Sequence, residues 1–401
     1  MNILILGMDG YIGWALAQKQ LYLGNKVFGI DNFSRRENVS EMDSDSAIPI
    51  ANMERRISKI KEVYGERIEF HKGDLTNPDF TDDIVKKSAP DAIVHLAEQP
   101  SAPYSMIDQK HSVYTHQNNV IGNLNLIYAI KNYAPKSHLI KLGTMGEYGY
   151  DPGFVIPEGF FEIEYLGRKA TVPYPKMAGS WYHWTKVHDS NNIMFACKTW
   201  GLKSTDIMQG IVYGTRLKDI PAYIYQPTRF DFDEAFGTVV NRYCAQAVIG
   251  HNLTVYGKGG QTRGFLALED SVQCISLLIE KPPEDENYRV VNQFDEQYNV
   301  TDLANRVKKI GDDKGLDVTI ENIENPRKEK EIHFYKADHK KLRDLGFKAT
   351  RSINEEIGHI LEDLIPHRDR IIKNKEAIIK QINWGSKEIS PVINNKNLQT
   401  A

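Results

Sequence analysis

A tyrosine and a lysine four residues apart, Tyr182 and Lys186, are suited to acid–base chemistry. One helical turn places the phenol and the ammonium on the same face, where the positive charge lowers the pKa of the phenol. Such a phenol can exchange a proton with an alcohol near neutral pH. Thr144 follows the apolar segment Leu139–Leu142 and supplies a hydroxyl opposite the tyrosine. The three residues predict proton transfer to and from an alcohol.

A glycine-rich turn follows the first apolar segment of the chain. Gly7, Gly10 and Gly13 come directly after Asn2–Leu6 and open a helical pattern. Glycines at this spacing let the backbone approach a pyrophosphate, whose charge then lies at the N-terminus of the helix. Asp31 ends the next strand, where its carboxylate can accept both hydroxyls of an adenosine ribose and would repel a 2′-phosphate. The pattern therefore predicts a dinucleotide site that prefers NAD to NADP.

Residues near the ends of the following strands complete the predicted cofactor site. Arg35 and Arg36 lie close to Asp31, so NADP remains an alternative cofactor. We expect a guanidinium at this place to face the adenine or its phosphates. The predicted cofactor residues are Gly7, Gly10, Tyr11, Ile12, Gly13, Asp31, Asn32, Arg35, Arg36, Asp74, Leu75, Leu96, Ala97, Glu98, Asn119, Tyr182, Lys186, Gln209 and Val212.

The elements that position these residues alternate between β-branched runs and amphipathic stretches, as in βαβ units around a parallel sheet. We expect an α/β fold, a Rossmann-type doubly wound parallel sheet with a smaller α/β substrate-binding cap. The predicted strands of the sheet are Asn2–Leu6, Lys26–Ile30, Arg67–His71, Ala92–Leu96, Leu139–Leu142, Ser204–Met208 and Arg289–Asn292.

The composition is that of an ordinary globular protein. The 401 residues carry 50 Lys and Arg against 53 Asp and Glu, so nucleic-acid binding, which needs concentrated basic residues, is not expected. Cys197, Cys244 and Cys274 are too few and too far apart for a disulfide framework or a CxxC zinc site. No apolar run reaches the roughly 20 residues of a membrane span. We expect a cytoplasmic protein with no metal site and no membrane partner.

Thr144, Tyr182, Lys186 and the glycine turn together resemble the pattern of extended short-chain dehydrogenases/reductases. Within that group, four runs are similar to the UDP-sulfoquinovose synthase family. They are SAPYSMID at 101–108, LGTMGEYG at 142–149, YHWTKVHDS at 182–190 and VYGKGGQTRG at 255–264. The resemblance extends from residue 1 to about residue 350.

This resemblance implies conversion of UDP-glucose and sulfite to UDP-6-sulfo-6-deoxyglucose, a reaction formally classed with hydrolases acting on carbon–sulfur bonds. Oxidation at C4 acidifies the C5 proton, loss of the 6-hydroxyl gives a 4-keto-5-ene, sulfite adds at C6, and C4 is reduced again. NAD is recycled internally, and the sulfur donor is free sulfite or a sulfite-delivering protein. The helices predicted at 118–133 and 180–200 imply a homodimer.

The elimination step needs an acid or base that the resemblance leaves open. Sugar-nucleotide 4,6-dehydratases carry an Asp-Glu pair after the threonine, whereas this chain has Met145 and Gly146. Glu147 and His183 are the titratable candidates, although His183 points about 100° away from Tyr182 around the helix. An uncharged Met145 beside the nicotinamide would neither repel sulfite nor protonate the intermediate.

Substrate residues follow from the same resemblance. Arg263 and Arg327 match arginines placed on the UDP diphosphate, which suits forked cations. Similar synthases also carry a substrate-contacting arginine at the position of Pro100, which Arg168 or Lys176 would have to replace. The predicted substrate residues are Gln99, Ser101, Tyr104, Thr144, Gln209, Thr238, Asn241, Thr254, Val255, Tyr256, Gln261, Arg263 and Arg327.

The predicted domains are residues 1–214, mainly NAD-binding, and residues 215–380, mainly sugar-nucleotide-binding and interleaved with the sheet. The first contains an insertion at 34–66 and a lid-like loop at 150–180, whose segments 160–165 and 169–172 form a hairpin. A polar tail occupies 381–401.

Two other functions compete with the synthase. A UDP-glucose 4-epimerase or a related sugar-nucleotide dehydratase would use the same Thr144, Tyr182, Lys186 and NAD, but the sequence around Met145 disfavours it. A catalytically silent NAD-binding scaffold is disfavoured because silent relatives usually lose the tyrosine or the lysine.

Overall fold

Seven parallel strands form the central sheet of the protein. The structure, a computed structural model, describes residues 1–149, 154–284, 287–327, 335–379, 382 and 384. Its strands are β1 (Asn2–Leu6), β2 (Lys26–Asp31), β3 (Ile68–Lys72), β4 (Ala92–His95), β5 (His138–Leu142), β6 (Phe160–Tyr165), β7 (Arg168–Pro173), β8 (Lys203–Gln209), β9 (Ile211–Tyr213), β10 (Leu253–Tyr256), β11 (Thr262–Ala267), β12 (Tyr288–Gln293), β13 (Glu296–Asn299) and β14 (Ile320–Ile323).

Helices cover both faces of this sheet, and others pack together in the second half of the chain. They are α1 (Tyr11–Tyr22), α2 (Ser34–Glu41), α3 (Met53–Tyr64), α4 (Pro78–Ser88), α5 (Ala102–Ser105), α6 (Gln109–His116), α7 (Gly122–Tyr133), α8 (Trp181–Trp200), α9 (Val239–Ile249), α10 (Leu268–Glu280), α11 (Val300–Asp313), α12 (Lys340–Asp344), α13 (Ile353–Leu364) and α14 (Arg368–Lys373). A π-turn (Gln117–Ile121) joins α6 to α7, and 3-10 turns occupy Gly65–Arg67, Met145–Tyr148, Ile365–His367 and Lys375–Ile379.

The strand order of the sheet is β3-β2-β1-β4-β5-β8-β12, and every neighbouring pair is parallel. The central strands β1, β2 and β4 are largely apolar because both faces of the sheet are covered. One face packs on α1, α3 and α10, and the other on α4, α7 and α8. The order reverses between β1 and β4, which is where doubly wound sheets open a ligand crevice. The predicted Rossmann-type fold is confirmed.

A smaller unit is built from the second half of the chain. It contains the three-stranded sheet β13-β11-β9 and the parallel pair β10 and β14, packed on α9, α11 and α13 around a separate apolar core. The chain returns to the main sheet through β12, so the smaller unit is interleaved with it. The division at residue 214 stays a prediction.

Three segments singled out in the sequence have different outcomes. The insertion at 34–66 carries α2 and α3, and the hairpin is β6 and β7, whose turn residues Leu166 and Gly167 both have positive φ, as a two-residue hairpin turn requires. Residues 150–153 of the predicted loop and nearly all of the tail at 381–401 lie outside the described residues. No helix in the described ranges has the length and apolarity needed to cross a bilayer.

Candidate active site

A cavity of about 310 Å³ lies at the point where the strand order reverses. Four predicted substrate residues line it, namely Thr144, Gln209, Thr238 and Asn241. Most of the predicted cofactor residues line it as well: Gly7, Gly10, Tyr11, Ile12, Gly13, Asp31, Asn32, Arg35, Asp74, Leu75, Leu96, Ala97, Glu98, Tyr182, Lys186, Gln209 and Val212.

The glycine turn shapes the floor of this cavity. Gly7 has φ of 86°, and a Cβ there would lie 2.8 Å from the carbonyl of Leu96. A Cβ on Gly13 would lie 2.1 Å from the carbonyl oxygen of Gly7. Only glycine fits either position. Gly10 begins α1 without a side-chain cap, so the first N–H groups of the helix are left for an anion.

Asp31 stands at the end of β2 with its carboxylate facing the glycine turn. It accepts hydrogen bonds from the N–H of Asp9 (2.8 Å) and the N–H of Phe33 (2.7 Å). Burial, and then the neighbouring charge of Asp9, raise the pKa of Asp31 to about 6. The carboxylate keeps lone pairs for the two hydroxyls of a ribose.

The two predicted arginines have separate partners. Arg35 pairs with Asp231 and lies over the ring of Phe236 on the cavity wall. Arg36 does not line the cavity and instead makes two bonds of 2.6 and 2.7 Å to Asp9. The predicted cofactor contact of Arg36 is therefore corrected to a contact that holds the glycine turn.

Asn119 also departs from the prediction. It is completely buried behind the cavity, where its amide oxygen accepts from the N–H of Gln99 and its amide nitrogen donates to Thr185 and to the carbonyl of Gln99. Its hydrogen-bonding capacity is consumed by the fold. The preceding residue, Asn118, lines the cavity in its place.

Three predicted substrate residues have internal roles instead. The Gln99 amide donates to the hydroxyl of Thr115, the Ser101 hydroxyl caps α5, and the Tyr104 hydroxyl donates to Glu41. All three predicted side chains are buried and do not line the cavity, so the structure does not support substrate contacts for them.

Thr144, Tyr182 and Lys186 meet at the cavity from two elements. Thr144 follows β5 and caps the 3-10 turn after it, where its hydroxyl accepts from the N–H of Gly146 at 3.1 Å. Tyr182 and Lys186 lie one turn apart at the start of α8. The Lys186 ammonium donates to the carbonyl of Leu142 at 2.6 Å, which fastens α8 to the end of β5. The arrangement fits the predicted exchange of a proton with an alcohol.

Glu147 lies outside the cavity, completely buried beneath Thr144. Its carboxylate accepts from the N–H of Thr144 and contacts Lys141, Lys176 and Ser190. Burial opposes its ionisation, but the two ammonium groups outweigh burial and lower the pKa of Glu147 to about 2. The predicted acid–base role of Glu147 is therefore corrected. Its carboxylate stays ionised, and both of its oxygens are already engaged by the partners named above. It positions Thr144.

His183 is buried at the start of α8 and does not line the cavity; it packs over the glycine that stands where dehydratases carry an acid. A Cβ on Gly146 would lie 2.3 Å from Nε2 of His183, so the imidazole fills the space of a side chain at that position. The Ser180 hydroxyl lies 2.9 Å from Nδ1. Burial lowers the pKa of His183 to about 3, so the ring is neutral at pH 7.

Met145 and the proposed replacements for the missing arginine are placed away from the cavity. Met145 is buried in an apolar cluster with Tyr148 and Met208, so its predicted catalytic role is corrected to packing. Arg168 lies on the exposed hairpin, and the Lys176 ammonium is paired with Glu147. Neither cation occupies the position expected of a substrate contact.

The predicted nucleotide residues divide into core and polar groups. Thr254 accepts from the amide of Gln246 and Val255 lies in the apolar core of the smaller unit, so both predictions are corrected to structural roles. Arg263 lies on β11, and the guanidinium carbon of Arg327 lies 6.0 Å from the ring centroid of Tyr256.

Four of the predicted substrate residues have a buried polar atom with no hydrogen-bond partner among the described residues. They are the hydroxyls of Thr238 and Tyr256 and the amide oxygens of Asn241 and Gln261. Buried polar groups are almost always satisfied, so these atoms are available to a polar ligand.

Two buried charges were missed by sequence reasoning. Lys141 in β5 and Asp206 in β8 are completely buried beneath the catalytic residues, 3.4 Å apart. For Lys141 the signal was available, since it interrupts the apolar run Leu139–Leu142, and a charge in a buried strand requires a partner.

Comparisons with known proteins agree with this geometry. A sequence profile described as the NAD dependent epimerase/dehydratase family matches residues 3–293. UDP-sulfoquinovose synthase of Sulfolobus acidocaldarius is 49% identical over 96% of this chain and 98% of its own length. The chloroplastic UDP-sulfoquinovose synthase of Spinacia oleracea is 45% identical over 97% of this chain and 80% of its own length.

The chain belongs to the UDP-sulfoquinovose synthase family. The expected resemblance is thereby confirmed, and so is the NAD cofactor through the wider family. Among solved structures, UDP-glucuronic acid 4-epimerase of Bacillus cereus is similar with a TM-score of 0.70 and 22% identity, covering 91% of this chain and 99% of that one. UDP-glucose 4-epimerase of Thermotoga maritima has a TM-score of 0.69 and 22% identity, covering 90% and 98%. These structures share the fold.

NAD affinity is expected to fall as the pH drops below about 6. Ribose hydroxyls would donate to the ionised carboxylate of Asp31, so NAD binding is expected to favour that form, which is present above the pKa of about 6 and lost below it. Cofactor-free protein titrated with NAD by calorimetry should bind about fivefold more weakly at pH 5 than at pH 6.

The Asp31→Asn variant is the matched control, because its amide has no charge to lose. It should bind NAD more weakly at pH 7.5 and with little change down to pH 5. Equal wild-type affinity at pH 7.5 and pH 5 would contradict this role of Asp31.

Proposed function

We propose that this protein is a UDP-sulfoquinovose synthase that acts on UDP-glucose and sulfite and forms a carbon–sulfur bond at C6 of the hexose. The single observation that carries the proposal is the placement of His183 over Gly146, beside Thr144 and Tyr182. The site retains Thr144 and Tyr182 for oxidation at C4. A neutral imidazole takes the place of the acidic side chain that dehydratases carry. The identity of 45 to 49% to named synthases supports the same conclusion.

The residues of the cavity fit NAD. The open N-terminus of α1 suits the pyrophosphate, Asp31 the adenosine ribose, and Lys186 the ribose next to the nicotinamide. When bound, NAD accepts a hydride from C4 of the hexose and returns it at the end of the cycle.

Tyr182 takes the proton of the 4-hydroxyl during oxidation and returns it during reduction. Lys186 favours the phenolate through its charge. The Thr144 hydroxyl already accepts from Gly146, so its own proton is left to donate to the oxygen at C4. Proton and hydride both return to the sugar, which balances the two redox steps.

His183 is the residue that we assign to the elimination and addition at C5 and C6. In the elimination the C5 proton is removed and the 6-hydroxyl leaves as water, and in the addition sulfite bonds to C6 and a proton returns to C5. The Ser180 hydroxyl accepts a hydrogen bond from the backbone N–H of His183, so its own proton is donated to Nδ1 of the imidazole. The ring proton is therefore on Nε2. Glu147 is excluded from this step by its two ammonium partners.

The UDP moiety is assigned to the polar group on the smaller unit. Arg263 and Arg327 would hold the diphosphate, since forked guanidinium groups match phosphate oxygens. The unpartnered atoms of Thr238, Asn241 and Tyr256 would then receive partners from the nucleotide. We expect sulfite to enter beside His183, where the same two arginines supply positive charge.

We further propose that the protein is a cytoplasmic homodimer that pairs through α6, α7 and α8. These neighbouring helices expose apolar side chains that a monomer would leave in water, namely Val113, Ile121, Tyr128 and Phe195. Light scattering should give twice the 45.8 kDa mass of one chain. A monomer mass at micromolar concentration would contradict the dimer.

Mass spectrometry of the sugar nucleotide tests the proposed reaction. Purified protein incubated with UDP-glucose and sulfite should yield UDP-sulfohexose, and no such product should form without sulfite. The Tyr182→Phe variant should keep its NAD and lose at least about a hundredfold in turnover, because it lacks the proton-transferring hydroxyl.

Two results would contradict the synthase. Formation of UDP-galactose with no effect of sulfite would favour the 4-epimerase, and the absence of any turnover in NAD-loaded protein would favour the silent scaffold.

A further inference from the structure

The ammonium of Lys186 has two fixed partners. It donates to the carbonyl of Leu142 at 2.6 Å, and it lies 2.6 Å from Oε2 of Glu98. Both charged side chains are at least 95% buried, and both line the cavity. An ammonium has three N–H donors, so these contacts leave one of them for the cavity.

Glu98 has Lys186 as its nearest full opposite charge. The other carboxylate oxygen lies 3.4 Å from Nε2 of His95, a completely buried residue on β4. Burial lowers the pKa of His95 to about 4, so this imidazole is neutral at pH 7. The negative charge of Glu98 therefore interacts mainly with the ammonium of Lys186.

A second carboxyl group lies on the same side of α8. Asp189 follows Lys186 by one helical turn, is completely buried, and has no hydrogen-bond partner for either oxygen among the described residues. Burial, and then the charge of Glu98, raise the pKa of Asp189 well above its usual value. The other charged groups that act on this region are Lys141 on β5, Glu147 after β5, Arg263 on β11 and Arg327 in the smaller unit.

We propose that Glu98 is a positioning residue that acts through Lys186: its carboxylate lies against the ammonium and weakens the pull of that cation on the Tyr182 phenol. A cation next to a carboxylate acts as a dipole, whose field at a third group is weaker than that of the cation alone. The inference rests on the proposed function, in which Tyr182 both takes and returns a proton. A weaker electrostatic pull from Lys186 lets the Tyr182 phenol both take up and release a proton.

Titration of the Tyr182 phenol tests this role without any substrate. The tyrosinate absorbance of NAD-loaded protein is followed against pH and corrected by subtracting the same titration of its Tyr182→Phe counterpart. Replacement of Glu98 by the isosteric glutamine removes one nearby negative charge, so the phenol should ionise about one pH unit lower. The same pair of titrations in an Asp189→Asn background is the matched control, because the charge of Glu98 raises the pKa of Asp189, and an ionised Asp189 would otherwise mask the removal of that charge.

A Glu98→Gln titration that coincides with that of the wild type, or that moves to higher pH, would overturn the proposal. If the glutamine variant does not fold, Glu98→Asp withdraws the charge by one methylene and should shift the titration in the same direction by less. Because no sugar nucleotide is present, a shifted titration in a protein that makes no UDP-sulfohexose would contradict the synthase reaction and leave the role of Glu98 intact.

Discussion

The buried ammonium of Lys141 is the contact on which the arrangement of the catalytic residues depends. It donates to Glu147, to the Ser190 hydroxyl and to the carbonyl of Lys186, so one group joins the strand before Thr144 to the helix that carries Tyr182. Burial disfavours this charge, but Asp206 and Glu147 overcome burial and raise the pKa of Lys141 above its usual value. Glu147 in turn accepts a hydrogen bond from the backbone N–H of Thr144. The positions of Thr144 and of Tyr182 therefore depend on the same buried ion cluster.

A buried cluster of this kind fixes the positions of the surrounding groups more than it stabilises the fold. Taking charges out of water costs several kcal/mol per ion, and their mutual attraction often does no more than offset that cost. What the cluster supplies is a single placement of the loop after β5, in which Gly146 leaves room for His183. In the proposed reaction, chemistry at C6 would therefore depend on Gly146, in a turn whose position is set by buried charges, and on His183 at the start of α8.

The sequence was sufficient for the sheet, because apolar runs and the glycine turn are local signals, and each of its seven strands lies within about one residue of its predicted bounds. The side-chain roles were less predictable. Glu147 looked like a free acid because its partner Lys176 is distant in sequence. Asn118 lines the cavity in place of Asn119 at a π-turn (Gln117–Ile121), which sequence patterns do not predict. Thr254 and Val255 lie in a strand buried on both faces, where alternation does not show which side chain meets a ligand.

The central claim is that one site oxidises C4, exchanges the 6-hydroxyl for sulfite and reduces C4 again before the sugar leaves. Its most direct test is nuclear magnetic resonance of the product formed from UDP-glucose deuterated at C4, in the presence of sulfite and unlabelled NAD. We predict UDP-sulfohexose that retains the deuterium at C4, because the same hydride equivalent is removed and returned. A sulfonated product with hydrogen at C4, with the deuterium found in free reduced nicotinamide, would contradict the account.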